Sequence, residues 1–353
     1  MAPRGFQATP RQGGLGREDP LSSAPVNRRI SVLLLALLIA CSACRRSSTK
    51  TLRVAVVPKG TTHEFWKSVH AGAVKAGREL GVEVVWKGPL KEDDLRSQID
   101  LVQSFTGQGV SGLVLAPLND KALVSAVRGA TKSGIPVVVF DSDLASDDPV
   151  SFVATDNRAA GRLGGERMVK LLGGRGKVVL LRYQEGSAST HHREEGFLEA
   201  IKAAPGITIT SSNQYGGATT ESAFAASENL LSAQQAASGG VDGVFCPNES
   251  TTFGMLLALR KFGLAGKLRF VGFDASDKLL EGARQGHIDA LVVQNPFGMG
   301  ELGVRAMVRH LRGEKVERRI DTGAKVVDQE SLARPEIQEY VHPNLTPWLG
   351  SGG

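Results

Sequence analysis

The chain has 353 residues, 41% hydrophobic and 5% aromatic, so it can build sizeable cores, and the roughly 310 residues beyond an N-terminal leader suggest two domains of ordinary size. The formal charge is +6, but Arg4, Arg11, Arg17, Arg28 and Arg29 against Glu18 and Asp19 place +3 of it in the leader. The remaining +3, with no basic stripe interleaved with aromatics, argues against nucleic acid as a partner.

Residues 1–40 read as a leader: Asn27-Arg28-Arg29, an apolar run over 30–40, then Cys41. A basic segment, a short apolar segment and small residues at the cut make a secretory signal. The apolar run is too short for a bilayer, which needs roughly 20 residues. Leu38-Ile39-Ala40-Cys41 resembles a bacterial lipobox. This predicts acylation of Cys41 and a protein lipid-anchored to a bacterial membrane, in the periplasm or on the cell surface. Ser42 favours the outer membrane in a two-membrane cell. Residues 1–26 admit two readings, a disordered extension or an upstream start, with Val26 as a start that leaves a normal leader. Arg28-Arg29 reads as ordinary leader charge rather than a twin-arginine signal. Residues 41–51 form a polar tether containing Cys44. Cys246 ends an apolar run and reads as a buried small hydrophobe, so no structural disulfide is expected.

From residue 52 the chain alternates. Short apolar runs at 52–57, 82–86, 112–116, 137–140 and 150–154 predict strands. Segments with helical spacing at 64–80, 92–105, 119–131 and 156–172 lie between or after them. Gly173-Gly174-Arg175-Gly176 stops the last of these and turns the chain; it lacks phosphate-loop spacing and leads into a strand. The pattern then repeats, with strands at 177–181, 207–211, 241–245, 268–273 and 288–293. Helices are predicted at 190–203, 219–237, 250–262, up to 285, and 298–311. Residues 312–319 read as a charged surface segment. Continuous apolar strands alternating with amphipathic helices mean parallel sheets covered on both faces. About ten strands predict α/β architecture with two doubly wound parallel-sheet domains.

In such sheets ligands bind beyond the C-terminal strand ends. Those ends read His63-Glu64-Phe65-Trp66, Asp141-Ser142-Asp143, Ser189-Thr190-His191-His192-Arg193, Asn248-Glu249, Asp274 and Gln294. Asp, Asn, Gln and Arg can each serve two vicinal hydroxyls, and an aromatic face packs on a sugar's C–H surface. This is the composition of a polyol or sugar site. Asp and Asn at strand ends are also ordinary helix N-caps, so Asp156 and Asn248 carry both readings.

Ile135-Pro136-Val137-Val138-Val139-Phe140-Asp141, Val271-Gly272-Phe273-Asp274 and Gln294-Asn295-Pro296 resemble the periplasmic sugar-binding proteins of the ribose and galactose type, relatives of the effector domains of lactose-repressor-like regulators. The resemblance covers about residues 52–320. It implies a type I periplasmic binding protein: two discontinuous lobes, 52–155 plus 295–321 and 156–294 plus 322–345, joined by three crossings and closing on ligand. It implies that Phe65 and Trp66 stack on the ring, preceded by His63 where relatives often carry asparagine. It further implies ligand contacts from Asp141, Arg193, Asn248, Asp274 and Gln294. Ser142 stands where ribose binders often have arginine, which argues against simple transfer of ribose. Tyr215, Trp86 and Asp143 are open alternatives.

His191-His192 with Glu194-Glu195 does not read as a metal site, because adjacent helical residues point about 100° apart. Neither metal nor cofactor is expected. The functional expectation is a monomeric solute-binding lipoprotein that binds a sugar or polyol and serves an ABC permease in the cytoplasmic membrane. The alternative is a sensing subunit for a membrane kinase or chemoreceptor. A transcription regulator is disfavoured by the leader. An enzyme is disfavoured because the aromatic, Arg, Asn and Gln around Asp141 and Asp274 suit equilibrium binding better than catalysis.

Overall fold

The computed structural model describes residues 51–350. The leader, its lipobox and both Cys41 and Cys44 lie outside the described residues. The first sheet has the order β11-β5-β4-β3-β1-β2. Its strands are β1 (Arg53–Val57), β2 (Glu83–Trp86), β3 (Gly112–Leu115), β4 (Val137–Phe140), β5 (Ser151–Ala154) and β11 (Arg319–Asp321). The second has the order β12-β10-β9-β8-β6-β7. It contains β6 (Arg175–Arg182), β7 (Gly206–Tyr215), β8 (Gly243–Phe245), β9 (Arg269–Phe273), β10 (Ala290–Gln294) and β12 (Ala324–Val327). Every pairing is parallel except β10 with β12, an antiparallel edge. Two doubly wound α/β sheets are thus present.

The central strands of each sheet are buried on both faces because they are runs of apolar residues, such as Val137–Phe140 and, up to its final residue, Ala290–Gln294. Val54 and Val56 face α1 (Glu64–Leu80) and α9 (Pro296–Leu311), while Ala55 and Val57 face α2 (Leu95–Gly107) and α3 (Val124–Lys132). In the second lobe Val178 and Leu180 face α4 (Asn157–Leu171) and α5 (Ala188–Lys202). Val179 and Leu181 face α6 (Thr220–Ala233), α7 (Glu249–Lys261) and α8 (Asp277–Arg284). Period-2 alternation of side chains divides each lobe into two core layers.

The helix boundaries follow local chemistry. Asp156, Thr219 and Asn248 cap α4, α6 and α7. The helix predicted from residue 92 begins instead at Leu95, because Asp94 accepts from Ser97 N at 2.9 Å and supplies the cap. This releases Glu92 into the interior. Residues 312–319 are not wholly surface loop: Arg319 opens β11 and its guanidinium sits over Phe152.

The chain passes between the sheets at 155–156, 295 and 322–323. Two of these passages are tied together, since Thr155 Oγ1 donates to Gly323 O at 3.0 Å and Asp156 N to Asp321 Oδ1 at 3.0 Å. After α10 (Pro335–Val341), which packs on the second lobe, α11 (Thr346–Leu349) returns to α1 of the first. There Arg78 donates to Pro347 O at 2.7 Å and Trp348 O at 3.0 Å. No helix among the described residues is long and apolar enough to cross a membrane.

Candidate functional site between the lobes

Asp141 and Asp274 end β4 and β9, the fourth parallel strand of each lobe, and both hold left-handed backbone with φ of 59° and 69°. Asp tolerates this region far better than most non-glycine residues. The turn brings each carboxylate over the strand end and into a cavity between the lobes. In both lobes the local sequence is Phe-Asp: the ring fills the core and the acid enters the cavity.

Arg193 joins the two acids. It lies on α5, where that helix crosses α4 closely enough that a Cβ on Gly161 would fall 2.0 Å from Arg193 O. Its guanidinium is buried and stacks on Phe273, 4.5 Å from the ring centroid. It donates to Asn157 Oδ1 (2.7 Å), Pro247 O (3.0 Å) and Gln294 Oε1 (2.7 Å), and stands 3.9 Å from Asp141 Oδ1. Gln294 passes the contact on, its Nε2 donating to Asp274 Oδ1 at 2.7 Å. Burial pushes the Asp274 carboxyl above its ordinary value, against the pull of Arg193.

Asn248 caps α7 and also lines the cavity, so both readings of it hold. Phe65 and Trp66 line it from the first lobe, edge to face with centroids 4.8 Å apart. Trp66 is a core residue too, only 3% exposed, with Phe140 at its edge. His63 precedes them.

Ser142 is not in the cavity wall; it is fully buried behind it, and its hydroxyl accepts from Ser189 N at 3.1 Å. The turn at Asp141 directs one side chain inward, so its neighbour points elsewhere. Trp86 stacks on His70 at 4.5 Å, away from the cavity. Asp143 and Tyr215 line a separate outer groove. His191 and His192 have ring centroids 6.0 Å apart and tilted planes, and no group of potential metal ligands forms among the described residues. Cys246 is fully buried.

Six further residues line the cavity beyond the ligand contacts expected from the sequence: Lys59, Glu92, Tyr183, Ser189, Thr190 and Glu249. Glu92 accepts from Trp66 Nε1 (2.6 Å) and from Tyr183 OH of the opposite lobe (2.5 Å), and pairs with His63 Nδ1 (2.9 Å). Burial opposes the charge on Glu92, but His63 and Lys59 outweigh it and hold the carboxyl at about 2. Burial likewise opposes protonation of His63, yet Glu92 raises its pKa to about 9. Ser189, Thr190 and Glu249 carry a visible signal, their places in the segments that hold Arg193 and Asn248. Lys59 and Glu92 sit in loops after β1 and β2 where nothing in the sequence separates them from surface charges.

Burial also raises Glu249 to about 7, with Asp274 nearby adding to the rise. Above its free value of 4.5 the unfolded chain gives up this proton while the folded one keeps it. Stability therefore falls as pH rises from 4.5 to about 7 and levels off above that. Glu249→Gln should flatten this part of the profile, so that its melting temperature drops less than wild type between pH 5 and pH 8. Equal drops would show that Glu249 does not titrate as its burial requires.

A periplasmic binding protein domain model matches residues 54–315. The chain belongs to the periplasmic binding protein family. The ribose import binding protein RbsB of Haemophilus influenzae is 30% identical over 299 residues, 85% of this chain and 97% of that protein. The D-allose-binding periplasmic protein of Escherichia coli is 29% identical over 74% of this chain and 85% of its own. Two solved relatives share the architecture of this periplasmic binding protein. The carbohydrate transporter solute binding protein of Agrobacterium radiobacter in complex with D-arabinose has TM-score 0.78 and 31% identity, covering 84% of this chain and 100% of its own. The solute binding protein of Agrobacterium vitis with bound D-fucose has TM-score 0.78 and 34% identity, covering 82% and 100%. These relatives are binding proteins and not enzymes.

Proposed function

We propose that the interlobe cavity binds one neutral monosaccharide or sugar-like polyol, and that the protein is the extracytoplasmic solute-binding component of an ABC importer. The observation that carries this is convergence: two aspartates, Arg193, Asn248, Gln294 and the Phe65-Trp66 pair reach one cavity from both lobes. Charge narrows the ligand. The cations Lys59, Arg193 and His63 meet the acids Asp141, Glu92, Asp274 and Glu249, so an anionic ligand would find no surplus positive charge. Ribose, allose, D-arabinose and D-fucose, named for the relatives, are all neutral.

The enclosed space is about 30 Å³, room for one or two waters and less than a sugar ring needs. Entry therefore requires the lobes, 52–155 plus 295–321 and 156–294 plus 322–345, to part by hinge rotation at the three passages. Side chains that now bond one another, such as Gln294 and Asp274, then exchange partners with ligand hydroxyls. Contacts to both lobes exist together only when closed, so ligand shifts the population toward closure. A micromolar dissociation constant corresponds to about 8 kcal/mol. Several charge-assisted hydrogen bonds and a stacked ring are of that order.

A thermal-shift screen against monosaccharides, polyols and inositols tests the reading. A ligand at 100 times its dissociation constant adds about 2.7 kcal/mol, a shift of several degrees. A folded protein with no response to any neutral sugar or polyol contradicts it.

The lipobox supports anchoring through acylated Cys41, with the permease in the adjacent membrane. Cys41→Ser should abolish incorporation of labelled fatty acid and release the protein from membranes. Unchanged labelling would contradict the anchor.

A further inference from the structure

We propose that Lys59, with Ser142, Ser187 and Ser189, forms a seam between the lobes that blocks one end of the cavity and restricts the ligand to a single ring in that direction. This rests on the sugar-binding reading and specifies which ligands of that class are refused.

Lys59 follows β1 in the first lobe and is 3% exposed. Its ammonium lies 3.2 Å from Asp141 Oδ2 and donates to Ser187 Oγ at 3.2 Å and Ser189 Oγ at 3.0 Å in the second lobe. An ammonium has three donors, and three acceptors surround this one. Lys59 therefore lines the cavity without a hydrogen to offer a ligand, and acts as wall rather than reader. A second contact runs alongside it: Ser189 N donates to Ser142 Oγ across the lobes at 3.1 Å. Ser189 is in the first turn of α5, where backbone N–H groups have no intrahelical acceptor, so this amide depends on Ser142. Ser142 and Ser187 are wholly buried.

Beyond the seam lies the outer groove, about 450 Å³, to which Ser187, Gln184, Asp143, His191 and Tyr215 contribute. Ser187 and Ser189 are two residues apart, one bordering the groove and the other the cavity. The opposite end is softer. His63 there has 18% of its side chain exposed. Room for a ring is made there, while a substituent pointing at Lys59 breaks the seam and prevents closure.

The test is isothermal titration of the full protein, its Lys59→Ala variant and the Ser187→Ala/Ser189→Ala double variant. The titrants are the best neutral monosaccharide from the screen and disaccharides that extend it at each hydroxyl. Wild type should prefer the monosaccharide at least 100-fold over a disaccharide extended toward Lys59. Lys59→Ala should cut that preference at least tenfold by joining cavity to groove. Lys59→Met, of similar length but without the ammonium, should weaken binding and keep the preference. The double variant keeps the Lys59–Asp141 pair and covers the case in which Lys59→Ala does not fold; it should also relax the preference. Undiminished preference in folded Lys59→Ala and in the double serine variant overturns the seam while leaving the sugar reading intact. A wild type that binds no sugar overturns that reading, and a wild type that binds the extended disaccharide equally well overturns the seam alone.

Discussion

Arg193→Ala should remove ligand binding, weakening it by at least about 30-fold, the lower bound for deleting one partner of a buried, hydrogen-bonded charge cluster. One guanidinium here bonds Asn157, Pro247 O and Gln294 and lies between Asp141 and Asp274. Its removal leaves two buried carboxylates without their shared cation and the Pro247 carbonyl without that donor. Stability should fall as well, by about 3–5 kcal/mol. Arg193→Lys separates charge from geometry. It keeps the cation but cannot reproduce the fork, so it should recover part of the stability and little of the binding. Titration of each variant with the ligand of the wild type, beside a denaturant melt, reads both effects. Wild-type affinity in a folded Arg193→Ala protein would remove Arg193 from the site.

Asp274→Asn should weaken binding by at least about 30-fold with a small change in melting temperature. Asparagine is the appropriate replacement because it also accepts left-handed backbone, which Asp274 holds at φ 69°. Alanine would add backbone strain to the loss of the carboxylate. The asparagine side chain keeps an acceptor for Glu249 N, now at 2.9 Å from Asp274 Oδ2, and loses the charge. Because burial already disfavours that charge, its removal costs the fold little, while a ligand hydroxyl loses its strongest acceptor. An unchanged dissociation constant would place the ligand elsewhere in the cleft.

The two lobes are legible in the sequence because the central strands are continuous apolar runs and amphipathic helices alternate with them. Those signals come from burial on both faces and survive without knowledge of partners. The short β11 and β12 and the helices after residue 330 are not, since Arg319–Asp321 has one apolar residue and Ala324–Val327 is only 4 residues long, with Lys325 inside it. They form because neighbouring sheet edges supply their hydrogen bonds. At the site, topology alone points to residues at strand ends, and Asp141, Asn248, Asp274 and Gln294 line the cavity from such positions. Ser142 shows the limit of that rule: position at a strand end does not fix which way a side chain turns. Lys59, Glu92 and Tyr183 show its complement. Each is held by a residue from the other lobe, at sequence separations such as the 91 positions between Glu92 and Tyr183. No local pattern encodes a contact of that kind.

The proposed function requires that the interlobe cavity hold one neutral sugar. Isothermal titration of the purified protein with the best sugar from the screen, and in parallel with its uronate or phosphate, tests it directly. The expected result is one site per chain, a dissociation constant of about a micromolar or tighter, and at least 100-fold weaker binding of the charged analogue. Equal or tighter binding of the anion, or no saturable binding of any neutral sugar, would contradict it.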